Sequence, residues 1–321
     1  MSDTATTQPA PTKAEGRFLL ERERVLGPLL LLPAMLYILA LVGFPLILAI
    51  LYAFSNVNVG DPQINGTKDL VGLDNFRAVL GDSVFRKALR NTVVFTLLSQ
   101  IMVMILANIL AIVLSSDFKG KRLVRFLVLL PWTTPIGLGV LGWFWLLDSV
   151  YSPLDYILRE LDLLGPKTRF GPARNMFYLA KTELAQASVL IVQVWRILPL
   201  ATVILLAGLS SIPQDIKDAA NVDGAGFWRQ MFYIRIPLLL PIMAVASLFS
   251  MVFVFTDLIV PLVLTRGGPV NDTQMIASWA YFKGIQGGNL AQGAAIALFM
   301  LPVMIAIAIG MLRLARRTET N

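Results

Sequence analysis

The chain has 321 residues, of which 56% are hydrophobic and 15% are charged. Soluble domains average about 45 to 50% apolar and about 25% charged residues, so this composition, with a mean hydropathy of +0.71, indicates a polytopic membrane protein. Cysteine and histidine are absent, which excludes disulfides, Cys or Ser-His catalysis, and metal or haem binding through either residue. The net charge of +7 comes from Lys and Arg at the ends of apolar runs, a pattern that favours a topological role over nucleic-acid binding.

The first 27 residues predict a largely disordered cytosolic tail. Residues 2–11 are rich in Ser, Thr, Ala and Pro, and such a segment has too few large apolar side chains to fold. The apolar run that follows, 28–54, is too long for the hydrophobic region of a signal peptide and lacks a clear A-x-A cleavage site. We therefore expect a retained helix.

Six apolar runs are long enough to cross a bilayer, which needs about 20 helical residues. They predict an all-α protein with a six-helix transmembrane domain over residues 28–312, followed by a cytosolic C-terminal tail at 313–321. The runs are 28–54, 92–114, 124–147, 184–209, 236–264 and 291–312.

Basic residues in the connections predict the orientation. An even number of spans places both termini on one side, and the tight turn at 117–125 holds four cations and one acid. Short loops rich in Lys and Arg remain in the cytoplasm, so both termini are expected to be cytosolic.

The cytosolic connection at 210–235 has strong helix signals. Ser211 followed by Gln214 matches a capping box, and Pro213 suits the first helical turn. Gly224 and Gly226 can take the positive φ that ends a helix. This pattern predicts two short helices that meet at a sharp angle. By themselves they could lie on lipid headgroups or dock on another protein.

A spaced set of residues runs through this connection into the next span: Asp218-Ala219-Ala220, then Gly224, then Ile234-x-Ile236-Pro237. This pattern resembles the signature loop of binding-protein-dependent ABC importer permeases, E-A-A-x3-G-x9-I-x-L-P. Asp218 replaces Glu and Ile236 replaces Leu, while every spacing is intact. The resemblance implies the type I permease core, with six spans and both ends inside.

Further segments resemble carbohydrate importers of the maltose and glycerol-phosphate type, in particular the half that carries a Gly-Gly-Pro element. The segments are Gly72-Leu73-Asp74-Asn75-Phe76, Asn91-Thr92, residues 120–125 with Leu130-Pro131, and Gly267-Gly268-Pro269.

The resemblance implies that the signature loop couples the chain to a cytosolic ATPase. The residues to which it assigns this role are Asp218, Ala219, Ala220, Asp223, Gly224 and Ala225. The chain has no G-x4-G-K-[ST] phosphate loop, so ATP and Mg would be bound by the partner ATPase, and the chain itself is expected to be a non-enzymatic transport subunit without cofactor, metal or catalytic residues.

The resemblance also implies the other members of the complex: a homologous second permease, two copies of the ATPase and an extracytoplasmic solute-binding protein that delivers a sugar. The expected location is the cytoplasmic membrane of a bacterium or archaeon.

Polar residues within the spans are candidates for a substrate pathway. A charge at the centre of a span costs about 2.5 to 3.5 kcal/mol on insertion scales, so Arg196 and Asp257 are expected to face the bundle interior or a cavity. They could line the pathway or pair with each other. The full set of candidates is Gln193, Trp195, Arg196, Phe253, Thr256 and Asp257.

Other functions remain open at this stage. Kinked spans with intramembrane charges would also suit a secondary carrier driven by an ion gradient, although that reading leaves the signature loop unexplained. A membrane enzyme is disfavoured because no acidic cluster converges in the sequence. Within the importer class, an oligosaccharide, a monosaccharide and a glycerol phosphate all fit, and an Arg196 that faced the pore would favour a phosphate.

Overall fold

A computed structural model describes residues 23–166, 168 and 174–319. Most of the tail predicted at 1–27 therefore lies outside the described residues, as do residues 320 and 321. Within the described part, helices supply nearly all regular structure, and pairing of β type is limited to two isolated bridges. The all-α prediction is confirmed.

Fourteen α-helices follow one another through the described residues. Wider, π-type turns occur at Leu39–Gly43, Met231–Arg235, Pro261–Thr265 and Phe282–Gln286. The α-helices are α1 (Glu23–Ile38), α2 (Phe44–Ala53), α3 (Asp74–Gly81), α4 (Ser83–Ser115), α5 (Lys121–Thr133), α6 (Ile136–Leu146), α7 (Pro153–Glu160), α8 (Thr182–Ser211), α9 (Gln214–Val222), α10 (Phe227–Gln230), α11 (Ile236–Phe255), α12 (Ile276–Tyr281), α13 (Leu290–Leu298) and α14 (Met300–Glu319).

Five of the six predicted spans are long apolar helices among the described residues. Their bounds are Gly27–Ala53, Ser83–Ser115, Thr182–Ser211, Phe227–Phe255 and Leu290–Arg316. The remaining predicted span, 124–147, consists of α5 and α6, which are bent by 102° relative to each other. The total is six spans if this bent pair counts as one.

The bend between α5 and α6 follows from Thr134 and Pro135. Proline has no N–H to donate and disfavours a helical conformation at the residue before it. Thr134 is accordingly extended, with φ −76° and ψ 132°, and its hydroxyl donates back to the Leu130 carbonyl at 2.7 Å. The sequence predicted a span at 124–147, and the structure shows a sharp elbow within it.

The chain divides into two compact units. The first ends at Leu51 and contains α1 and most of α2, whose apolar side chains are exposed along the helix, as at Leu30 and Tyr37 with 70% and 67% exposure. The second unit, Tyr52–Asn321, contains the remaining helices and the functional segments.

The core of the second unit is built by α4, α8 and α11. Small residues on α4 and α8, such as Ala107 and Ala201, are fully buried there beside larger ones such as Leu205 and Leu239. Small side chains allow membrane helices to approach closely, which increases their van der Waals contact. The α4 and α8 helices run in the same direction, so their first residues share one end of the unit and their last residues share the other.

The fifth span differs from its prediction at both ends. The helix starts at Phe227 rather than at 236, because α10 and the Met231–Arg235 turn continue directly into α11. It stops at Phe255, where the Asp257 carboxylate accepts from the backbone N–H groups of Ile259 and Val260. Acceptance from the N–H groups two and three residues later is the pattern of an N-cap, and the backbone is helical again from 259 to 265 after a break at 256–258. The side chain therefore interrupts the span.

The loop at 266–275 is pinned to the first residues of α4 and α8. The Asp272 carboxylate accepts from Lys87 Nζ at 2.7 Å and from the Thr182 hydroxyl at 2.9 Å. Asn91 and Gln186 donate to the Asp272 backbone carbonyl. Four side chains from two helices thus hold one residue of the loop.

Acid is expected to release this loop. The hydrogen bond from Lys87, assisted by Thr182, holds the pKa of Asp272 below its usual value. A lowered folded-state pKa adds stability above the unfolded pKa of about 3.9, and that stability is lost as the pH falls through the lower folded value. Hydrogen exchange of 266–275, corrected for intrinsic rates, should therefore lose protection below about pH 4. Asp272→Asn should show the low protection at every pH, whereas equal protection in both proteins at neutral pH would contradict this role.

Candidate functional site: an exposed helical turn and an intramembrane ion pair

The segment predicted to couple the chain to an ATPase forms a short helix that ends in a Schellman motif. In this motif the Ala225 N–H bonds to the Ala220 carbonyl at 2.9 Å, and the Gly224 N–H bonds to the Asn221 carbonyl at 3.1 Å. Gly224 has a φ of +68°, which L-residues other than Asn and Asp rarely adopt. Gly224 therefore sets the direction in which the chain leaves α9.

Five of the six candidate coupling residues lie on or beside this turn with their surfaces at least partly accessible. Asp218, Ala219, Asp223 and Gly224 are exposed, and Ala225 is half-buried. Ala220 differs, because it is 5% exposed and packs within the chain. Of the Ala219–Ala220 pair in the signature, only Ala219 is therefore available to a partner, together with the carboxylates of Asp218 and Asp223.

The start of α9 differs from the predicted capping box. Ser211 belongs to α8 and donates to the Gly208 carbonyl at 2.8 Å. Pro213 occupies the N-cap position, and Gln214 donates to Asp218 at 2.9 Å instead of reaching back. Gly226 also differs from its prediction, since its φ of −65° is accessible to any residue. Only Gly224 needs to be glycine for its conformation.

Gln230, on α10, joins α10 to α9 and to the turn between them. Its amide nitrogen donates to Asn221 Oδ1 and to the Ala225 carbonyl, both at 2.8 Å, and its oxygen accepts from Arg235 at 3.3 Å. The side chain is buried at 8% exposure. The sequence analysis missed this residue, although a Gln within an aromatic segment was an available signal.

Beside the turn lies an exposed aromatic group. Trp228 and Phe232 stack with an interplanar angle of 16°, and the Arg235 guanidinium lies 6.0 Å from the Phe227 ring centroid. Trp228 is 69% exposed. Large exposed rings at the start of a span are typical of a membrane interface or of a protein contact.

Arg196 on α8 and Asp257 after α11 form an ion pair inside the span region. Arg196 Nη1 lies 3.2 Å from Asp257 Oδ1, with side-chain exposures of 20% and 2%. The carboxylate is further satisfied by the backbone N–H groups of Ile259 and Val260. The sequence left open whether Arg196 and Asp257 pair with each other or line a pathway. The pair is present, and the partly exposed Arg196 also lines a cavity.

Gln193 is buried one turn away from this pair. Its amide lies 3.2 Å from the Met275 sulfur and 3.4 Å from the Ser99 hydroxyl, and its side chain is 1% exposed. It links α8 to α4 and to the start of α12, so in this conformation it is an interhelical contact.

Two cavities adjoin the elbow between α5 and α6. One of about 210 Å³ is lined by Pro131, Trp132, Thr134, Ile136 and Arg196. Another, of about 390 Å³, includes Trp143 and Trp195 in its wall. The elbow thus brings aromatic rings, a hydroxyl and one guanidinium to the same place.

Aromatic pairs fix the walls of these cavities. Trp132 meets Phe253 edge to face with 5.6 Å between ring centroids, and Trp143 meets Trp195 in the same way at 5.8 Å. Gly139 allows Trp195 to approach, since a Cβ built there would lie 3.0 Å from that ring.

The candidate pathway residues therefore divide into three groups. Trp195 and Arg196 line the cavities, and Phe253 packs on a ring that does. Gln193 and Asp257 are buried behind them, while Thr256 is exposed and donates to the Val252 carbonyl. The sequence analysis missed Trp132, Thr134 and Trp143, although the prolines at 131 and 135 marked their neighbourhood.

These features define a class of protein: a polytopic helical membrane protein with an interrupted span, a bent span and a structured connection at one face, as transport subunits have. Residues 104–320 match the family described as "Binding-protein-dependent transport system inner membrane component". The chain belongs to this family, and it is the permease subunit of an ABC importer.

Relatives of known name cover nearly the whole chain. The trehalose/maltose transport system permease protein MalF of Thermococcus litoralis is 30% identical over 92% of this chain and 95% of its own. The trehalose transport system permease protein SugA of Mycobacterium tuberculosis is 29% identical over 89% and 87%. A crystal structure of a bacterial ABC transporter that imports alginate contains a chain with the same fold, with a TM-score of 0.75, 21% identity and coverage of 93% and 97%.

Proposed function

We propose that this chain forms one half of the membrane pathway of an ATP-driven importer for a neutral sugar, a disaccharide or oligosaccharide in particular. The strongest support is the chemistry at the elbow. Trp132 and Trp195 offer apolar rings, the Arg196 guanidinium offers donors, and the Thr134 hydroxyl, which donates to the Leu130 carbonyl, can still accept from a sugar hydroxyl. Relatives across most of the chain carry names of trehalose, maltose and diacetylchitobiose uptake systems.

The ion pair bears on the charge of the cargo. An unpaired guanidinium beside the cavity would favour a phosphate or carboxylate, and Arg196 is instead neutralised by Asp257 at 3.2 Å. The unpaired arginine that would have favoured a glycerol phosphate as cargo is therefore not present in this cavity. Arg196 retains enough exposure to donate to sugar hydroxyls.

The exposed turn at the end of α9 is the proposed joint with the ATPase. A separate ATPase subunit, present in two copies and carrying ATP and Mg, would hold Ala219 and Gly224 against its surface, with Asp218 and Asp223 opposite basic residues. A homologous permease would form the other half of the pathway, and an extracytoplasmic binding protein would deliver the sugar. Both termini would then lie in the cytosol, on the same side as α9.

Uptake by proteoliposomes tests the proposal. The chain is reconstituted with its second permease and ATPase, and the binding protein and labelled trehalose or a maltose oligosaccharide are supplied on the outer side. Uptake that needs internal ATP and is not reduced by excess glycerol phosphate is expected. Uptake driven by an ion gradient without ATP would identify a secondary carrier, and competition by glycerol phosphate would identify an anionic cargo.

A further inference from the structure

A groove between α4, α5 and α8 lies apart from both sites described above. It has a volume of about 320 Å³ and is lined by residues from the end of α4, the middle of α5 and the second half of α8.

The wall of this groove is apolar except at its rim. Its two hydroxyl groups have already donated their protons, because Thr202 donates to the Leu198 carbonyl at 2.7 Å and Ser210 donates to the Leu206 carbonyl at 2.9 Å, so they can only accept. No acidic residue lines it. A sugar would leave most of its hydroxyls unpaired here, so the groove is unsuited to the cargo.

Arg125 is the one charged residue in the lining. Its side chain is exposed, and among the described residues it has neither an ion pair nor a hydrogen bond from its guanidinium. Nearby Asp117 is already paired with Lys121 at 3.2 Å. The rim therefore presents a guanidinium that lacks an anion.

The ends of the helices give the depth of the groove in the membrane. Ser210 lies in the last turn of α8 and Leu114 in the last turn of α4, while Arg125 lies just over one turn into α5. Thr202 is nine residues before the end of α8, which corresponds to about 14 Å at 1.5 Å per residue. Because α8 has 30 residues, or about 45 Å, it is longer than a hydrocarbon core about 30 Å thick, so the groove covers the interfacial end of the span and the adjoining part of the core.

We propose that this groove binds an acidic phospholipid of the leaflet on the side of α9. An acyl chain would lie against Leu129, Val203 and Leu206, and the headgroup phosphate would accept from the Arg125 guanidinium, a pairing for which Arg has suitable geometry. Basic groups between helices at a membrane surface bind anionic headgroups in this way. The ligand must therefore combine a headgroup of net negative charge with acyl chains. Phosphatidylcholine has a phosphate but its choline cation cancels the charge, and free phosphate has no acyl chain.

Native mass spectrometry of the assembled transporter tests this inference. The complex is stripped with detergent and titrated with phosphatidylglycerol or with phosphatidylcholine of the same chains. The intact complex should retain phosphatidylglycerol at least about tenfold more tightly, a difference of about 1.4 kcal/mol. Arg125→Gln should abolish that preference. Arg122→Gln is the matched control, because Arg122 lies one turn earlier on α5 and does not line the groove.

A second variant tests the acyl part of the site. Ala207 is an exposed residue of the lining, so Ala207→Phe should fill the groove and reduce retention of both lipids while leaving Arg125 in place. Millimolar inorganic phosphate should not displace bound phosphatidylglycerol, and displacement would identify a site for free phosphate. Equal retention of the two lipids, an unchanged Arg125→Gln complex, or a cross-link from this groove to the second permease would overturn the proposal.

Discussion

Replacing Asp257 with Asn is expected to destabilise the assembled complex by about 3 kcal/mol, the low end for a buried pair, because the change leaves the partly buried Arg196 guanidinium without its counter-charge. The pair is held at 3.2 Å, and the Asp257 side chain is 2% exposed. Asn keeps a side-chain oxygen for the N–H groups of Ile259 and Val260, so the lost free energy reports mainly on the charge. A lowered midpoint of thermal unfolding of the purified complex measures the effect.

The double variant Arg196→Gln with Asp257→Asn separates a structural pair from a substrate contact. It should recover most of the lost stability, since neither side chain then carries a charge. If Arg196 also donates to sugar hydroxyls at the cavity, the stable double variant should still transport poorly, with a raised apparent KM. Equal losses of stability in the single and double variants would contradict the ion pair as the source of the effect.

Gly224→Val is expected to uncouple ATP hydrolysis from uptake while the chain still inserts into the membrane. Gly224 has a φ of +68°, and a Cβ built there has no atom within 4 Å, so the penalty comes from the backbone rather than from a clash. The left-handed conformation costs an L-residue about 1 to 2 kcal/mol, and more for a β-branched one. A shift of that size lowers docking affinity by about 5- to 30-fold, which ATPase and uptake rates of the reconstituted complex would reveal.

Two substitutions in the same turn control for this effect. Gly226 is equally open but has a φ of −65°, so Gly226→Ala should keep coupling intact. Gly224→Asn should fall between wild type and Gly224→Val, because Asn tolerates positive φ. If Gly226→Ala were as damaging as Gly224→Val, added bulk and not backbone conformation would be responsible.

The architecture was largely predictable from the sequence because the spans are set by local composition. Runs of apolar residues must be helical in lipid, since each backbone N–H and C=O needs a partner within the segment. Five spans accordingly appear as long helices, and Gly224 takes the predicted positive φ. The helices at Gly27–Ala53, Thr182–Ser211 and Leu290–Arg316 lie close to their predicted bounds, whereas Ser83–Ser115 starts before the predicted residue 92 and Phe227–Phe255 is shifted at both ends. The family could also be recognised from the sequence, because the motif from Asp218 to Pro237 lies within one continuous segment.

What the sequence did not predict depends on contacts between distant residues. The Arg196–Asp257 pair joins residues 61 positions apart. The sequence identified both as charges within apolar spans but could not show that they contact each other. The elbow at Thr134 had a local signal in Pro135, but its angle of 102° depends on the packing of α5 and α6. Gln230 was overlooked because its partners, Asn221 and Ala225, meet it only after the turn at Gly224 has formed.

The end of the predicted fifth span was misplaced for a related reason. Hydropathy continues through residue 264, so composition alone favours one helix. A carboxylate that binds the N–H groups two and three residues later competes with the helical hydrogen bonds, and Asp257 does so here. An ionisable residue inside an apolar run is thus a signal for interruption as well as for function.

A site-directed cross-link tests most directly whether the end of α9 is the joint with an ATPase. Val222 lies beside the turn and is 87% exposed, and the chain has no native cysteine, so Val222→Cys provides a single attachment point. In the assembled transporter, a short thiol cross-linker at this position should join the chain to the ATPase subunit, with a yield that changes between nucleotide-free and ATP-bound states. Labelling of lipid alone in both states, with no ATPase adduct, would contradict the account.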